Sequence, residues 1–191
     1  IDIIMQFYDI HNIDFESDII SQKLKHDLII MLCKRFNDND ITLKRIYSGL
    51  RDGFKSKDYH HHCNNKGPTI TLISNEHNTI FGGYAQVSWQ TNNAYINDKH
   101  AFLFQLYPNI KIFEQKNKSG YNALFHSRRA FLVNFGASDL ELYSECNTTM
   151  NSCSPSVYKI KKAYELIGGN DVESQTINFV VTNIEIYKLL F

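Results

Sequence analysis

The chain has no excess of charge of either sign, since Lys plus Arg and Asp plus Glu both number 20 among its 191 residues. A neutral chain lacks the basic field that draws proteins to nucleic acids and anionic membranes. It also lacks an apolar run long enough to span a bilayer, and its start has neither the basic region nor the cleavage site of a secretory signal. We therefore predict no nucleic-acid partner and no membrane insertion.

Cysteine is scarce and lacks the spacing of zinc or redox sites. The cysteines at positions 33, 63, 146 and 153 include no Cys-x-x-Cys pair. A reduced, cytoplasmic compartment is the simpler interpretation. Because the chain begins with Ile1, we expect that it is cut from a longer protein, with any upstream targeting signal or domain outside it.

Apolar residues are present in amounts typical of a packed globule. Hydrophobic residues make up 43% of the chain and aromatic residues 13%, and 191 residues fit one domain. Residues 1–14 are apolar but irregular, which predicts a linker or the tail of a preceding segment. We place the domain at residues 15–191.

Hydrophobic periodicity predicts a mainly β fold. Apolar residues at helical spacing after Asp18, a candidate N-cap, predict one amphipathic helix that ends at residues 37–40. A short helix is expected at 55–62, and strands are expected at 41–47, 69–74, 79–87, 101–107, 110–114, 130–135, 140–143 and 179–190. Many short strands with few helices favour an α+β fold built as a two-sheet antiparallel β-sandwich flanked by a few helices.

Two finer predictions concern packing in this sandwich. One sandwich core is expected to contain Ile70, Leu72, Phe102, Phe104, Val180 and Ile184. In the last strand, Phe179 and Val181 have the opposite parity to Ile184 and Ile186. Either a bulge lies near residues 182–183, or both faces of that strand are buried.

The segment from Tyr59 to Cys63, with three histidines between, invites a metal or nucleophile hypothesis. Neighbouring side chains on a helix point about 100° apart, and only His60 and Cys63 have the separation of helical metal ligands. These two give an incomplete ligand set, so we predict no metal and no cofactor, with Tyr59 and Cys63 facing the core and the histidines partly solvated. An enzyme or redox-active protein centred on His60 and Cys63 is the alternative.

Glycine-containing motifs follow one another in the first half of the chain. Arg51-Asp52-Gly53-Phe54 is interpreted as a tight turn in which Asp52 caps the next helix and Gly53 has a positive φ. Phe81-Gly82-Gly83 has no dinucleotide spacing, and paired glycines in a strand indicate a close approach of Trp89 or another aromatic ring.

In this order, Arg51 to Phe54, Cys63, Gly67-Pro68, Phe81 to Gly83 and Trp89 resemble the TLDc domain, the module of the oxidation-resistance proteins. The resemblance continues to the last strand and implies a two-sheet sandwich in a cytosolic eukaryotic protein. It also implies a non-catalytic role in oxidative-stress protection, through binding and regulation of the vacuolar proton-pumping ATPase.

No assembled catalytic set is visible in the sequence, so we expect a protein partner. Binding loops tend to lie at the ends of sandwiches, which makes the polar segments 91–99 and 116–121, with Asn97 and Lys118, candidates for contact. The alternative outside the enzyme class is an adaptor module of a multidomain protein.

Overall fold

The computed structural model describes residues 15–127 and 129–191. The predicted linker or tail at residues 1–14 lies outside the described residues. The described helices are α1 (Gln22–Phe36), α2 (Gly49–Asp52), α3 (Ser56–Cys63) and α4 (Tyr164–Ile167). None of them is long and apolar enough to cross a membrane.

The described strands form two antiparallel sheets of six strands each. In chain order the strands are β1 (Thr42–Ser48), β2 (Thr69–Asn75), β3 (Ile80–Ala85), β4 (Ala94–Ile96), β5 (Phe102–Tyr107), β6 (Lys111–Phe113), β7 (Leu124–His126), β8 (Phe131–Phe135), β9 (Leu140–Tyr143), β10 (Asn151–Cys153), β11 (Ile177–Phe179) and β12 (Val181–Leu190). The first sheet has the order β1-β12-β2-β3-β5-β6 and the second has the order β11-β10-β9-β8-β7-β4. The predicted mainly β sandwich with flanking helices is confirmed.

The first sheet is buried on both faces, which corrects the prediction of a single core. Its residues Ile73, Phe81, Leu103 and Ile184 point toward the second sheet and form the inter-sheet core. The predicted residues Ile70, Leu72, Phe102 and Phe104 lie on the opposite face, where they pack with Leu28, Ile29 and Leu32 of α1. Successive side chains of a strand point to opposite faces, so the neighbouring residues Leu72 and Ile73 of β2 belong to different clusters.

The prediction that Val180 lies in the core is also wrong, since this side chain is only half-buried. The chain leaves the second sheet after Phe179 and enters the first sheet at Val181. One predicted strand is therefore two strands with the crossing at Val180. The expected irregularity is present, since the pairing of β12 with β2 shifts register between Val181 and Asn183.

Helix α1 begins one turn later than predicted. Ser21 is the N-cap, with its hydroxyl accepting a hydrogen bond from the Leu24 N–H, and Asn37 ends the helix with a φ of 53°. Asp18 is not a cap, because its carboxylate binds Arg45 at 2.8 Å. Its own N–H donates to Glu185, a completely buried carboxylate in β12 that also pairs with Arg45 at 2.7 Å. This network fixes the segment before α1 against the first sheet.

Candidate functional site

The Arg51–Phe54 segment joins β1 to α3 and is held by its own hydrogen bonds. Asp52 accepts a hydrogen bond from the backbone N–H of Ser48, the N-cap of α2, at 3.0 Å. The expectation that Asp52 caps the next helix is therefore wrong. The guanidinium of Arg51 donates to both carboxylate oxygens of Asp52. Gly53 has a φ of 97°, as expected, and its carbonyl accepts from the Tyr47 hydroxyl at 2.6 Å. Phe54 is half-buried against the inter-sheet core.

Helix α3 turns Tyr59 and Cys63 into the inter-sheet core, where both are completely buried. Burial, and to a smaller extent the charge of Asp52, raises the pKa of the Cys63 thiol well above its ordinary value. A neutral buried thiol is a poor nucleophile, because the thiolate is the reactive form. Among the described residues, no group of three His, Cys, Asp or Glu side chains is placed to hold a metal ion.

The histidines of α3 differ in burial, which corrects the expectation that all are partly solvated. His61 is exposed, whereas His60 is only 8% exposed. Its Nδ1 lies 2.9 Å from the Asn64 side-chain oxygen and its Nε2 lies 3.3 Å from the Phe131 carbonyl oxygen. Burial lowers the pKa of His60, against the effect of these two contacts. The ring thus joins α3 to the second sheet.

Gly67, Pro68 and Trp89 fix the start of β2. Trp89 is buried, and its indole N–H donates to the Thr69 hydroxyl at 3.1 Å. Gly67 has a φ of 82° and donates its N–H to the Ser88 hydroxyl, while the Pro68 carbonyl accepts from Leu189 of β12. These motif residues therefore have a structural role, since their hydrogen bonds hold the start of β2 in place.

Phe81, Gly82 and Gly83 lie in β3, in the middle of the first sheet. Phe81 is buried between the sheets. The ring that approaches Gly83 is Phe135 of the second sheet, and Phe104 approaches Gly82 from the α1 side. The aromatic rings next to the two glycines are thus Phe135 and Phe104 and not Trp89. Gly83 allows a close approach on the inter-sheet face and Gly82 on the α1 face.

The two candidate contact loops, 91–99 and 116–121, lie side by side. The Asp98 N–H donates to the Gly120 carbonyl at 3.0 Å, and the Asn97 side chain accepts from the Asn122 N–H at 3.3 Å. Asp98 is buried and accepts four backbone N–H bonds from residues 86, 87, 100 and 101. The loops that contain Asn97 and Lys118 are therefore both held in position by the hydrogen bonds of Asp98.

A cavity of about 500 Å³ opens beside this loop pair. Lysine and arginine predominate in its walls, which are formed by Arg35, Lys99, His100, Glu114, Gln115, Lys118 and Lys159. Glu114 is the one carboxylate in this set. We name this cavity the basic cavity. Its base is fixed by Gln115, whose side-chain amide donates to the carbonyls of Asp98 and Ala101.

The positive charge of the basic cavity is only partly compensated. Arg35 forms a two-bonded ion pair with Glu114 at 2.6 and 3.0 Å. In the part of the chain that the structure describes, no carboxylate lies within ion-pair distance of Lys99, Lys118 or Lys159, and all three are exposed. A site of this kind attracts anionic groups of a partner.

Sequence reasoning found Lys118 and the loop that ends at Lys99, but it missed Arg35 and Lys159. These two residues are far from the loops in sequence. Pairing of Gln115 with Tyr158 brings Lys159 to the cavity, and α1 brings Arg35. The zero net charge of the whole chain hides this local excess of cations.

Comparisons with known proteins place this fold and its motifs in context. The family model described as TLDc domain matches residues 13–190. The MTOR-associated protein MEAK7 of Danio rerio is 33% identical over 60 residues, which are 31% of this chain and 13% of that protein. MEAK7 of Gallus gallus is 33% identical over 61 residues, 32% of this chain and 12% of that protein. Human MEAK7 is 28% identical over 61 residues, again 32% of this chain and 13% of that protein. The matched part thus spans about an eighth of the length of these relatives.

Proposed function

The chain belongs to the TLDc domain family, and from this premise we propose that it is a non-catalytic protein-interaction domain. The single observation that carries the proposal is the family match over residues 13–190. The loop pair supports it, because buried Asp98 holds two polar loops in fixed positions beside the basic cavity. Preorganised loops on a rigid sandwich are a common basis for protein recognition.

We propose that the partner is the vacuolar proton-pumping ATPase and that the domain regulates it in the cytoplasm as part of oxidative-stress protection. The support is the resemblance to the oxidation-resistance proteins, carried by Arg51 to Phe54, Cys63, Gly67, Gly82 and Gly83. Physical chemistry adds only that the exposed lysines suit an anionic protein surface.

A second candidate partner comes from the curated relatives, whose name describes them as MTOR-associated. We propose an mTOR-containing assembly as the alternative partner of this domain. The two candidates differ in the protein that an affinity experiment recovers. An adaptor role within a longer protein is compatible with either one.

The enzyme alternative, centred on His60 and Cys63, has less support. Cys63 is completely buried, its pKa is raised, and it lies at the last residue of α3, where the helix dipole disfavours a thiolate. We propose that the domain acts by binding, without a metal or a cofactor.

A pull-down tests the partner. The folded domain is used as bait in a lysate of its own organism, under oxidising and reducing conditions, and pump subunits and mTOR are detected by antibody. Asn97→Ala and Lys118→Glu are expected to weaken recovery while leaving the circular dichroism spectrum unchanged. Lys57→Glu is the matched control, because Lys57 is an exposed lysine on α3, which packs against β1 at the opposite edge of the first sheet from β6. Recovery of mTOR without pump subunits would favour the second candidate, and recovery of neither would remove both.

A further inference from the structure

A second cavity adjoins the basic cavity along α1. It has a volume of about 380 Å³ and lies between α1 and the segment around β6. Its walls are Asp27, Ile30, Met31, Lys34, Arg35, Ile110 and Ile112. Ile110 is 50% exposed and Ile112 is 39% exposed, so this apolar cavity presents aliphatic surface to solvent.

Arg35 lines both cavities, which makes them neighbours along one face of the molecule. Its guanidinium is fixed by the two-bonded pair with Glu114 and lies 5.0 Å from the centre of the Phe102 ring. A bidentate, stacked arginine is well ordered and loses little freedom when a partner binds. The two cavities thus share a preformed wall, and we call the pair the α1–β6 groove.

The charges of this groove are unevenly distributed. Both carboxylates in its walls are paired, Asp27 with Lys23 at 2.9 Å and Glu114 with Arg35 at 2.6 Å. Lys34, Lys99, Lys118 and Lys159 have no carboxylate partner among the described residues. The end at the basic cavity is therefore cationic, and the other, which we call the aliphatic end, exposes Ile110 and Ile112 beside Lys34.

We propose that the α1–β6 groove binds an extended acidic segment of a protein partner, whose carboxylates meet Lys99, Lys118 and Lys159 and whose apolar side chains cover Ile110 and Ile112. This inference rests on the proposed interaction function and adds the chemistry of the partner. A small anion would use only the cationic end, and it would leave the adjoining aliphatic surface uncovered. A segment with both kinds of side chain matches both ends.

The first test uses purified protein and a defined probe. The probe is a short fluorescein-labelled peptide with a block of glutamates beside a pair of leucines, and binding is measured by fluorescence anisotropy. We expect Lys99→Glu/Lys159→Glu to raise Kd by at least about tenfold, and more at low salt, because the attraction of exposed charges is screened by ions. Lys57→Glu should leave Kd unchanged. A peptide with glutamine in place of glutamate should bind about tenfold more weakly to the wild type.

The second test addresses the aliphatic end. Ile110→Ser should raise Kd by about fivefold, since it removes apolar contact surface. Leu50→Ser is the matched control, because Leu50 is an aliphatic residue that is 65% exposed on α2, which contacts β1 and β12. Equal binding by wild type and Ile110→Ser would overturn the inclusion of the aliphatic end.

Two outcomes separate this inference from the proposed function. If pump subunits or mTOR are recovered equally well by wild type and Lys99→Glu/Lys159→Glu, the groove inference is wrong while the interaction function stands. If the peptide binds with the expected dependence on both ends but neither partner is recovered, the groove stands and the named partners are wrong. A third outcome is that inorganic pyrophosphate displaces the peptide and Ile110→Ser has no effect on peptide binding. The groove would then be a small-anion site and the inference of a peptide site would be wrong.

Discussion

Phe135 of the second sheet lies directly over Gly83 of the first, where a Cβ atom at position 83 would come within 2.6 Å of the ring carbon Cζ. The two sheets approach this closely because the glycine has no side chain. Neighbouring Gly82 has a different constraint, since a Cβ there would overlap the backbone carbonyl oxygen of Thr71. Gly83 is thus limited by side chains, those of Phe135 and Leu103, and Gly82 by the backbone of β2.

This difference predicts that a compensating substitution relieves the cost of a side chain at Gly83 but not at Gly82. Gly83→Ala should lower the free energy of unfolding by roughly 1–3 kcal/mol, as overpacking does. Phe135→Leu removes the clashing ring atoms, so Gly83→Ala should cost less in that background, with a coupling of roughly 0.5–3 kcal/mol. Gly82→Ala should not be relieved by Phe135→Leu or by Phe104→Leu. Urea denaturation of the single and double variants measures these energies, and strictly additive effects at Gly83 and Phe135 would contradict the prediction.

Burial of the first sheet on both faces gives a second prediction. Phe104→Ala on the α1 side should lower the free energy of unfolding by roughly 3–5 kcal/mol, and Ile184→Ala on the inter-sheet side by roughly 2–5 kcal/mol. Val180→Ala should cost less than about 1 kcal/mol, since that side chain is only half-buried.

Hydrogen exchange distinguishes the two layers. Phe104→Ala should speed exchange in α1 selectively, because the helix packs on the face that contains Phe104. Ile184→Ala should not speed exchange in α1 more than it does in the other elements. A cost below about 1 kcal/mol for Phe104→Ala would show that this side chain does not carry the packing of α1.

Most strands that were predicted from the sequence have four or more residues, enough to show a pattern; the exception is β6, which has three and was predicted at 110–114. The hairpin of β2 and β3 follows from the alternation of Ile70 and Leu72 and from the turn after Asn75. Strands β4, β7, β10 and β11 have three residues each, too few for a period of two to be recognised. Their order comes from pairing in the second sheet, with chain neighbours in the cases of β7 with β8 and β10 with β9, and over longer separations in the cases of β4 with β7 and β10 with β11.

The error in the core has a physical cause in β2. Apolar residues occur at both parities, with Ile70 and Leu72 on one face and Ile73 on the other. Helix α1 covers the second face together with Phe15 and Ile20 of the segment before it, and nothing in the sequence of the helix specifies the sheet on which it packs. For the same reason the basic cavity was only partly predicted: Lys118 is in a polar loop, but Arg35 and Lys159 reach it through tertiary contacts.

A third prediction concerns pH and the buried ring of His126. His126 is 1% exposed, it lies 5.6 Å from the Trp89 ring, and neither of its ring nitrogens has a hydrogen-bond partner in the part of the chain that the structure describes. Burial, with a smaller effect of His60, lowers the pKa of His126 from 6.5 to about 4. The unfolded state therefore binds a proton more readily than the folded state between these values.

This shift makes stability fall with acidification. The contribution of His126 is fully present above pH 6.5 and is lost progressively as the pH falls toward about 4, by a total of about 3 kcal/mol. His126→Phe keeps a ring in the core and removes the titration, so the variant should lose less stability than wild type between pH 7 and pH 4.5. Urea denaturation at a series of pH values measures the difference. Parallel profiles for the two proteins would show that His126 does not titrate with a lowered pKa.

The fourth prediction concerns metal and redox chemistry at Cys63. This cysteine is completely buried and its pKa is raised, so in the folded domain it should react with Ellman's reagent only as fast as the structure opens. We expect elemental analysis of the purified domain to find no stoichiometric zinc. Cys63→Ser should lower the free energy of unfolding by roughly 1–3 kcal/mol, because it buries a hydroxyl where the thiol packs.

Protection of cells from oxidative stress separates binding from chemistry at this residue. If the domain protects by binding, the folded Cys63→Ser protein retains its activity, whereas a nucleophilic or peroxide-reacting cysteine would be inactivated by the loss of sulfur. Cys63→Ala provides the control for stability, since it removes the sulfur without adding a buried polar group. Two results would favour the enzyme hypothesis centred on His60 and Cys63. One is loss of protection in both variants when circular dichroism confirms that they are folded, and the other is one metal ion per chain in the purified domain. Retained protection in Cys63→Ala alone would instead assign the failure of Cys63→Ser to its lower stability.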